Sequence, residues 1–426
     1  YAMKVTIGRM LRKKDATDGA MTPFQAVCTA LAATVGTGNI AGVAGAIAIG
    51  GPGAVFWMWI SALLGMCTKF SEVTLAVHFR EKNAEGDLVG GPMYYIKNGL
   101  NKNWHWLAYL FAAFGVLTVF GTGNATQVNT ITTAIDSALF NYGVIGVDAA
   151  KTVNLVIGIV LAVLIALILL GGIKRIGQVT EKLVPFMAVI YILLAAGVVL
   201  LNLKNIPHVF VSIFEGAFTP ASVTGGAVGS FFISMKKGVS RGIFSNEAGL
   251  GSAPIAAAAA KTKDTVRQGL VSMTGTFIDT IVICTMTGLA IVLTGAWDMG
   301  LEGVAVTTKA FQLGLPFPNQ VASFILMVCL VFFAFTTILG WDYYSERCLE
   351  YLTGHKKAVV KAYRWLYILA VFIGPFMTVS AVWTIADIFN GLMALPNLIA
   401  VTALSGVVVA ETKVYMDGLK KDKIQP

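Results

Sequence analysis

Charged residues are scarce in this sequence. Asp, Glu, Lys and Arg together make up only 12% of the 426 residues, whereas a soluble protein usually carries about 25%. Hydrophobic residues make up 56%, and the mean hydropathy is +0.76. This deficit of charge excludes an ordinary soluble protein and predicts an all-α polytopic membrane protein. The net charge of +9 does not indicate nucleic-acid binding, because the basic residues lie in short clusters between apolar segments.

Cysteine and histidine are also rare. The five cysteines lie singly within apolar segments, without CxxC spacing, and the four histidines lie at segment ends or in loops. We therefore expect no disulfide, no zinc site and no organic cofactor. HExxH and Walker A patterns are absent, which argues against a membrane-embedded enzyme. No signal peptide is visible, so the helices themselves are expected to direct the chain to the cell membrane, where the lipid bilayer surrounds it.

One apolar segment, from Pro23 to Ile49, is long enough to cross a bilayer but is interrupted near its midpoint by Gly36, Gly38 and Asn39. In hydrocarbon an unpaired peptide group costs several kcal/mol, so such a break persists only where it faces protein, water or a bound solute. The second half-helix would direct N–H groups at an anion, and the first would direct carbonyls at a cation. The break therefore predicts a site for a zwitterion and a metal ion.

A second segment repeats this anomaly at Phe244–Pro254, FSNEAGLGSAP, where glycines and a proline interrupt a helix. The pattern of apolar segments indicates ten spans, of which the first and the sixth are broken. These two are corresponding members of two five-helix halves, which predicts a transporter site at an inverted repeat, with repeats 1–205 and 206–426. The spans are expected at 22–49, 53–79, 104–138, 152–171, 176–203, 222–258, 265–295, 320–349, 365–381 and 385–409.

The loops between spans differ in charge. Lys and Arg concentrate near the N-terminus, in the loops after the second, fourth, sixth and eighth spans, and in the C-terminal tail. By the positive-inside rule, both ends of this chain are expected in the cytoplasm. No obligate protein partner is indicated.

Polar side chains at membrane depth mark further candidate site residues. Asn124 and Gln127 lie in the third span, and Thr336 and Thr337 lie in the eighth. The threonines either bond back to their own helix or coordinate a cation. Asp279 lies near the middle of the seventh span without a basic residue one turn away, so it is expected to face the cavity.

Other charges within the spans are expected to be structural. Lys69 and Glu72 lie three residues apart on the second span, where they are expected to neutralise each other. Arg241 on the sixth span is expected either to extend toward the membrane surface or to pair with Glu247.

Three motifs resemble signatures of the alanine or glycine:cation symporter family: VGTGNIAGV at 35–43, GGPMYYI at 90–96 and FSNEAGLGSAP at 244–254. The resemblance covers essentially the whole chain. It implies a fold similar to that of the leucine-transporter class, with broken first and sixth helices. It also implies inward movement of small neutral amino acids with Na⁺, or with H⁺ in some members. An extra apolar helix often precedes the ten in this family, and this chain does not contain it.

The resemblance also implies the roles of individual residues. The N–H groups of Thr37 and Gly38 are expected to receive the substrate carboxylate. Carbonyl oxygens of the first span, with carbonyl and hydroxyl oxygens of the eighth, are expected to bind Na⁺. Oxygens of these kinds without a carboxylate suit a weakly held monovalent ion. The implied ligands are Ala32, Val35, Phe333, Thr336 and Thr337.

A second cation position of the same fold would lie near Thr34, Asn39, Ser245 and Asp279. The position that matches Asp279 is a neutral amide in the leucine transporter. Asp279 therefore holds a second Na⁺, attracts the substrate ammonium or carries a proton, and the sequence leaves all three open.

Selectivity is expected to follow from volume. Trp341 lies one helical turn beyond Thr337 and faces the same side, while Phe244 opens the second break. Both would exclude large side chains by overlap, so alanine and glycine fit and leucine does not. The alternative is that both aromatics serve packing alone. The substrate-binding residues expected are Thr37, Gly38, Asn39, Gln127, Phe244, Ser245, Asn246 and Trp341.

The function favoured by the sequence is secondary active symport by alternating access. Proton coupling is the main alternative to Na⁺. A membrane-embedded enzyme and a channel are the competing classes, and a channel would require a continuous polar pore.

Overall fold

The computed structural model is almost entirely helical. It describes residues 1–11, 23–84, 86–144, 146, 149–218, 231–260, 262, 264–354 and 356–424. A short antiparallel hairpin pairs Glu81–Lys82 with Leu88–Val89 in the loop after the second predicted span. The predicted all-α class is confirmed.

Helices follow one another with short connections. In the first half they are α1 (Ala2–Leu11), α2 (Pro23–Thr34), α3 (Ala41–Gly50), α4 (Gly53–His78), α5 (Pro92–Gly99), α6 (Trp106–Thr118), α7 (Thr126–Asn141), α8 (Ala150–Leu169) and α9 (Gly172–Leu201). In the second half they are α10 (Ile206–Phe218), α11 (Phe231–Asn246), α12 (Ala253–Ala258), α13 (Thr265–Thr276), α14 (Thr285–Thr294), α15 (Val304–Gly314), α16 (Asn319–Thr353), α17 (Lys357–Ile373), α18 (Val379–Ala403) and α19 (Ser405–Ile424).

Two π-helical segments join helices into longer rods. Val119–Ala125 connects α6 to α7, and Phe277–Cys284 connects α13 to α14. With these joints, eight helices in the described part of the chain are long and apolar enough to cross a membrane. They correspond to the predicted spans two to five and seven to ten. The other two predicted spans are the broken pairs α2–α3 and α11–α12, so the count of ten stays a prediction. Residues 222–230 of predicted span six lie outside the described residues.

The predicted limits of the last two spans are wrong by six to eight residues, since α17 ends at Ile373 and α18 begins at Val379. Pro375 lies in a 3₁₀ turn that ends α17, and the Thr378 hydroxyl caps α18 by accepting the Ala381 N–H at 3.3 Å. The sequence prediction also missed four shorter or amphipathic helices: α5, α10, α15 and α19.

Glycines let both broken spans pack closely on unbroken neighbours. A Cβ atom added at Gly238 of α11 would lie 2.4 Å from the Ala54 carbonyl oxygen of α4. One added at Gly340 of α16 would lie 2.7 Å from the Ala33 Cβ of α2. Small residues of this kind allow membrane helices to approach backbone to backbone. The contacts fix the position of each break relative to the rigid spans.

Replacing Gly238 with alanine tests this packing. We expect G238A to lower the free energy of unfolding by about 1 to 3 kcal/mol, because the added methyl overlaps the backbone of α4. The thermal unfolding midpoint of purified protein in detergent measures the effect. The control is G391A in α18, where an added Cβ meets no atom within 4 Å. A G238A midpoint equal to that of G391A would contradict the prediction.

Candidate functional site

The first predicted break is present. The helix α2 ends at Thr34, a 3₁₀ turn covers Thr37–Asn39, and α3 begins at Ala41. The Gly36 N–H donates to the Asn39 side-chain oxygen at 2.9 Å, and the Asn39 N–H donates to the Gly36 carbonyl at 3.2 Å. Asn39 therefore holds the turn from both sides, which explains why an asparagine follows the glycines here.

The second predicted break is also present. The helix α11 ends at Asn246 and α12 begins at Ala253. Between them Glu247, Gly249 and Gly251 have positive φ angles of 57°, 89° and 78°. Left-handed backbone is cheap for glycine but strained for glutamate, so the chain reverses here against the preference of Glu247.

The two breaks lie against each other. A Cβ atom added at Gly38 would lie 2.9 Å from Phe244 Cδ1 and 3.2 Å from Ser245 Cα. Only a residue without a side chain fits this contact. The interrupted backbones of α2–α3 and α11–α12 thus meet at one place.

Asp279 connects both breaks to the seventh predicted span. It is fully buried in the π-helical segment between α13 and α14. Its carboxylate accepts hydrogen bonds from the Asn39 amide at 2.8 Å, the Ser245 hydroxyl at 2.7 Å and the Thr280 hydroxyl at 2.8 Å. As predicted, this charged side chain faces the site and not the lipid. A carboxylate with such neighbours can also attract a cation or an ammonium group.

Three residues near Asp279 were not predicted from the sequence. Thr280 also accepts a hydrogen bond from the Asn246 amide at 3.1 Å. The Cys284 sulfur lies 3.2 Å from the Ser245 hydroxyl, and the Thr287 hydroxyl donates to the Asn39 carbonyl at 2.8 Å. The π-helix changes the residue spacing on this face, and no sequence pattern used here indicates a π-helix.

Four of the five expected sodium ligands lie together. The Thr337 hydroxyl is 3.1 Å from the Ala32 carbonyl of α2 and 3.0 Å from the Phe333 carbonyl of its own helix. The Thr336 hydroxyl lies 3.1 Å from the same Phe333 carbonyl. Val35, the fifth, is buried and directly follows α2. Both interpretations of the threonines therefore apply, since they bond back within α16 and Thr337 also reaches α2.

Gln127 reaches the first break from the third predicted span. Its side-chain oxygen accepts the Thr37 N–H at 3.4 Å, and its amide donates to the Thr122 carbonyl at 2.9 Å. The Thr37 hydroxyl is buried and has no hydrogen-bond partner among the described residues. Unpaired polar groups of this kind are suited to a ligand.

Thr34 and Asn246 line a separate small cavity together with Lys69. Its volume of about 20 Å³ is enough for one water molecule. Thr34 therefore lies beside Asn246, while its own hydroxyl bonds back to the Leu31 carbonyl at 3.3 Å.

The two aromatic residues occupy different surroundings. Phe244 lies against Gly38 and contacts the Trp383 ring at a centroid distance of 4.8 Å. Trp341 is buried, packs on Gly123 of the third predicted span and meets the Tyr344 ring edge-on at 5.7 Å.

Arg241 covers the Phe244 side of the site. Its guanidinium forms a two-bond ion pair with Asp387 of α18, at 2.5 and 3.0 Å, and lies 4.4 Å from the Trp383 ring. The expected pairing with Glu247 is wrong, because Glu247 lies at the second break and accepts the Ser252 hydroxyl at 2.6 Å. Beyond this ion pair lies a cavity of about 260 Å³.

Residues 238–242 read GVSRG, which formally matches the GxSxG pattern of serine hydrolases. In those enzymes the serine lies on a sharp strand-to-helix turn. Here the match lies within α11, and the Ser240 hydroxyl is 3.5 Å from Asp387 in the ion pair described above. The pattern therefore gives no support to hydrolase chemistry.

Two facing helix breaks at membrane depth, with a buried carboxylate between them, define a secondary transporter for a small solute. Comparison with known proteins gives the family. A sequence model of the sodium:alanine symporter family matches residues 2–426, and the chain belongs to this family.

Relatives cover nearly the whole chain. The sodium/alanine symporter AgcS of Methanococcus maripaludis is 45% identical over 428 residues, which cover 99% of this chain and 90% of that protein. The probable sodium/glutamine symporter GlnT of Bacillus subtilis is 40% identical over 418 residues, covering 97% and 83%. The crystal structure of MhsT in complex with L-phenylalanine matches with a TM-score of 0.55 at 15% identity, covering 93% of this chain and 100% of that one.

The resemblance drawn from the three motifs is confirmed, and so is the leucine-transporter-like fold. The protein is a multi-pass membrane protein that carries out cation-coupled amino-acid symport, and it is not an enzyme.

Proposed function

We propose that this protein imports alanine and glycine together with Na⁺ by alternating access across the cell membrane, with both ends of the chain in the cytoplasm. The observation that carries the proposal is the Thr337 hydroxyl, which bonds the Ala32 carbonyl on α2 and the Phe333 carbonyl on α16. These oxygens converge beside the first break. A cation bound among them would join the two halves of the molecule next to the substrate seat.

The proposed ion site offers only uncharged oxygens. The carbonyls of Ala32, Val35 and Phe333 and the hydroxyls of Thr336 and Thr337 would supply the ligands. Mg²⁺ and Ca²⁺ sites usually include carboxylates, so this set suits Na⁺ better. The ion would be held weakly enough to leave, as transport requires.

The proposed substrate seat is the first break. The N–H groups of Thr37 and Gly38 would bind the carboxylate. Support comes from the bond between the Thr37 N–H and Gln127, which at 3.4 Å is long and uncharged. A carboxylate oxygen would form a shorter and stronger bond with the same N–H. Asn39, Ser245 and Asn246 would surround the polar end of the substrate.

Asp279 supports a second candidate function, amino-acid transport coupled to H⁺. It is a buried carboxylate in contact with both breaks. In that case it would bind and release the coupling proton. In the proposed function it instead attracts the substrate ammonium or a second Na⁺. Which gradient drives uptake separates these roles.

Purified protein in proteoliposomes tests the coupling ion. With an inward Na⁺ gradient and equal pH on both sides, we expect labelled alanine to accumulate above equilibrium. With a pH gradient and no Na⁺, we expect no accumulation. Binding should also be reciprocal, so Na⁺ should raise the affinity for alanine. Accumulation driven by pH alone would favour the proton-coupled alternative, and accumulation under neither gradient would overturn both.

The variant T337V tests the ion site. Valine removes the hydroxyl that reaches α2 and keeps the side-chain shape, so we expect the Na⁺ concentration for half-maximal alanine uptake to rise at least about tenfold. The control is T353V on the same helix, where the hydroxyl bonds back to the Leu349 carbonyl at 2.8 Å. An unchanged Na⁺ dependence in T337V would remove this residue from the site.

The variant W341A tests the size filter. Removing this buried ring should allow uptake of leucine, which the intact pocket excludes by overlap. Competition of unlabelled leucine with labelled alanine measures the change. The variant W341F is included because loss of a whole buried indole also lowers stability, and it should show a smaller change in the same direction. Uptake still restricted to alanine and glycine in W341A would assign Trp341 to packing alone.

A further inference from the structure

The motif GGPMYYI, residues 90–96, has no role in the site described above, yet it packs directly on α12. A Cβ atom at Gly90 would lie 2.6 Å from Ala258 Cβ, and one at Gly91, where φ is 112°, would lie 2.7 Å from Ile255 Cγ1. One at Gly251 would lie 2.6 Å from Pro92 Cγ. The loop therefore covers one face of α12 and the end of the second break.

The second break is capped by protein side chains. Asn397 of α18 is fully buried, and its amide donates to the Gly249 carbonyl at 2.9 Å and to the Glu72 carboxylate at 2.5 Å. The same Glu72 oxygen accepts the Gly251 N–H at 3.2 Å. The Tyr95 hydroxyl of the GGPMYYI motif donates to the Asn397 side-chain oxygen. Broken backbone in a membrane must find partners of this kind.

The far end of α12 is held as well. Arg80, which follows α4, donates to the carbonyls of Ala258 and Ala260, each at 3.0 Å. These are the free carbonyls at the end of the helix. The helix has only six residues, too few to be stable in isolation. Its position is therefore set by what surrounds it.

The expected ion pair between Lys69 and Glu72 is not what the structure contains. The Lys69 ammonium nitrogen and the second Glu72 carboxylate oxygen are both buried, and neither has a hydrogen-bond partner in the described part of the chain. Buried polar atoms without partners are costly and often mark stored strain. The closed arrangement around α12 is thus tight but incompletely satisfied, which suits a contact that must open.

We propose that Tyr95, Asn397 and Glu72 form a latch that keeps α12 closed against the GGPMYYI loop, with Asn397 as the positioning residue. In the transport cycle the latch opens when α12 moves to release solute into the cytoplasm. Asn397 touches no proposed ligand of the amino acid or of Na⁺, so it acts through the backbone of the second break. The latch rests on the proposed alternating access and does not depend on which amino acid or ion is carried.

Cysteine labelling in the full chain tests the latch. Ala253, at the start of α12, is 3% exposed, so A253C should react slowly with a membrane-impermeant maleimide. In inside-out membrane vesicles with Na⁺ and alanine, we expect N397A to raise the labelling rate about tenfold, because two hydrogen bonds to buried groups are lost. Y95F removes one donor and keeps the ring, so a smaller rise of about threefold is expected. Matching variants without A253C correct for native cysteines.

The control is N390A on the same helix, where the Asn390 oxygen accepts the Thr122 hydroxyl at 2.9 Å, away from α12. Its labelling rate should equal that of the parent. An unchanged rate in both N397A and Y95F would overturn the latch. So would a rise of equal size in N390A, or with reagent on the outer face, because either would indicate general loosening. If N397A does not fold, Y95F alone decides. Absence of Na⁺-driven alanine uptake with a normal labelling response would overturn the proposed function and leave the latch.

Discussion

Every feature of the site follows from one constraint: a peptide group at membrane depth must have a hydrogen-bond partner. Two helices of this protein give up their internal bonds, one at 35–40 and one at 247–252. The first break satisfies itself in part through the Asn39 side chain, while the second relies on Glu72 and Asn397. The first is therefore the more open to a solute. The second depends on neighbouring spans, which makes it sensitive to their movement.

The buried polar groups divide into layers along α11 and α12. Arg241 and Asp387 form an ion pair over Phe244, which lies on the first break. Asp279 lies below them and bonds both breaks. The contacts of α12 with the GGPMYYI loop follow on the other side. A solute at the breaks would thus lie between two polar closures on opposite faces, which is the arrangement that alternating access requires.

Sequence reasoning predicted the parts whose signals are local. Glycines and a proline mark both breaks, and long apolar runs mark the unbroken spans, so these positions follow from neighbouring residues. The Thr337 contact with Ala32 was expected from a family resemblance. The bonds of Asn397 with Glu72 and of Arg241 with Asp387 join residues 325 and 146 positions apart. No periodicity encodes such pairs, which is also why Arg241 was expected to pair with Glu247.

The uncharged character of the oxygens around Thr337 has an electrical consequence. None of the ligands proposed for the ion brings a negative charge, and a zwitterionic amino acid adds none. Each ion carried through that site would therefore move its full charge across the bilayer. A potential that is negative inside contributes about 2.3 kcal/mol per charge for every 100 mV. Uptake by this route would be electrogenic, so cellular voltage, and not the concentration gradient alone, would set how far alanine is concentrated.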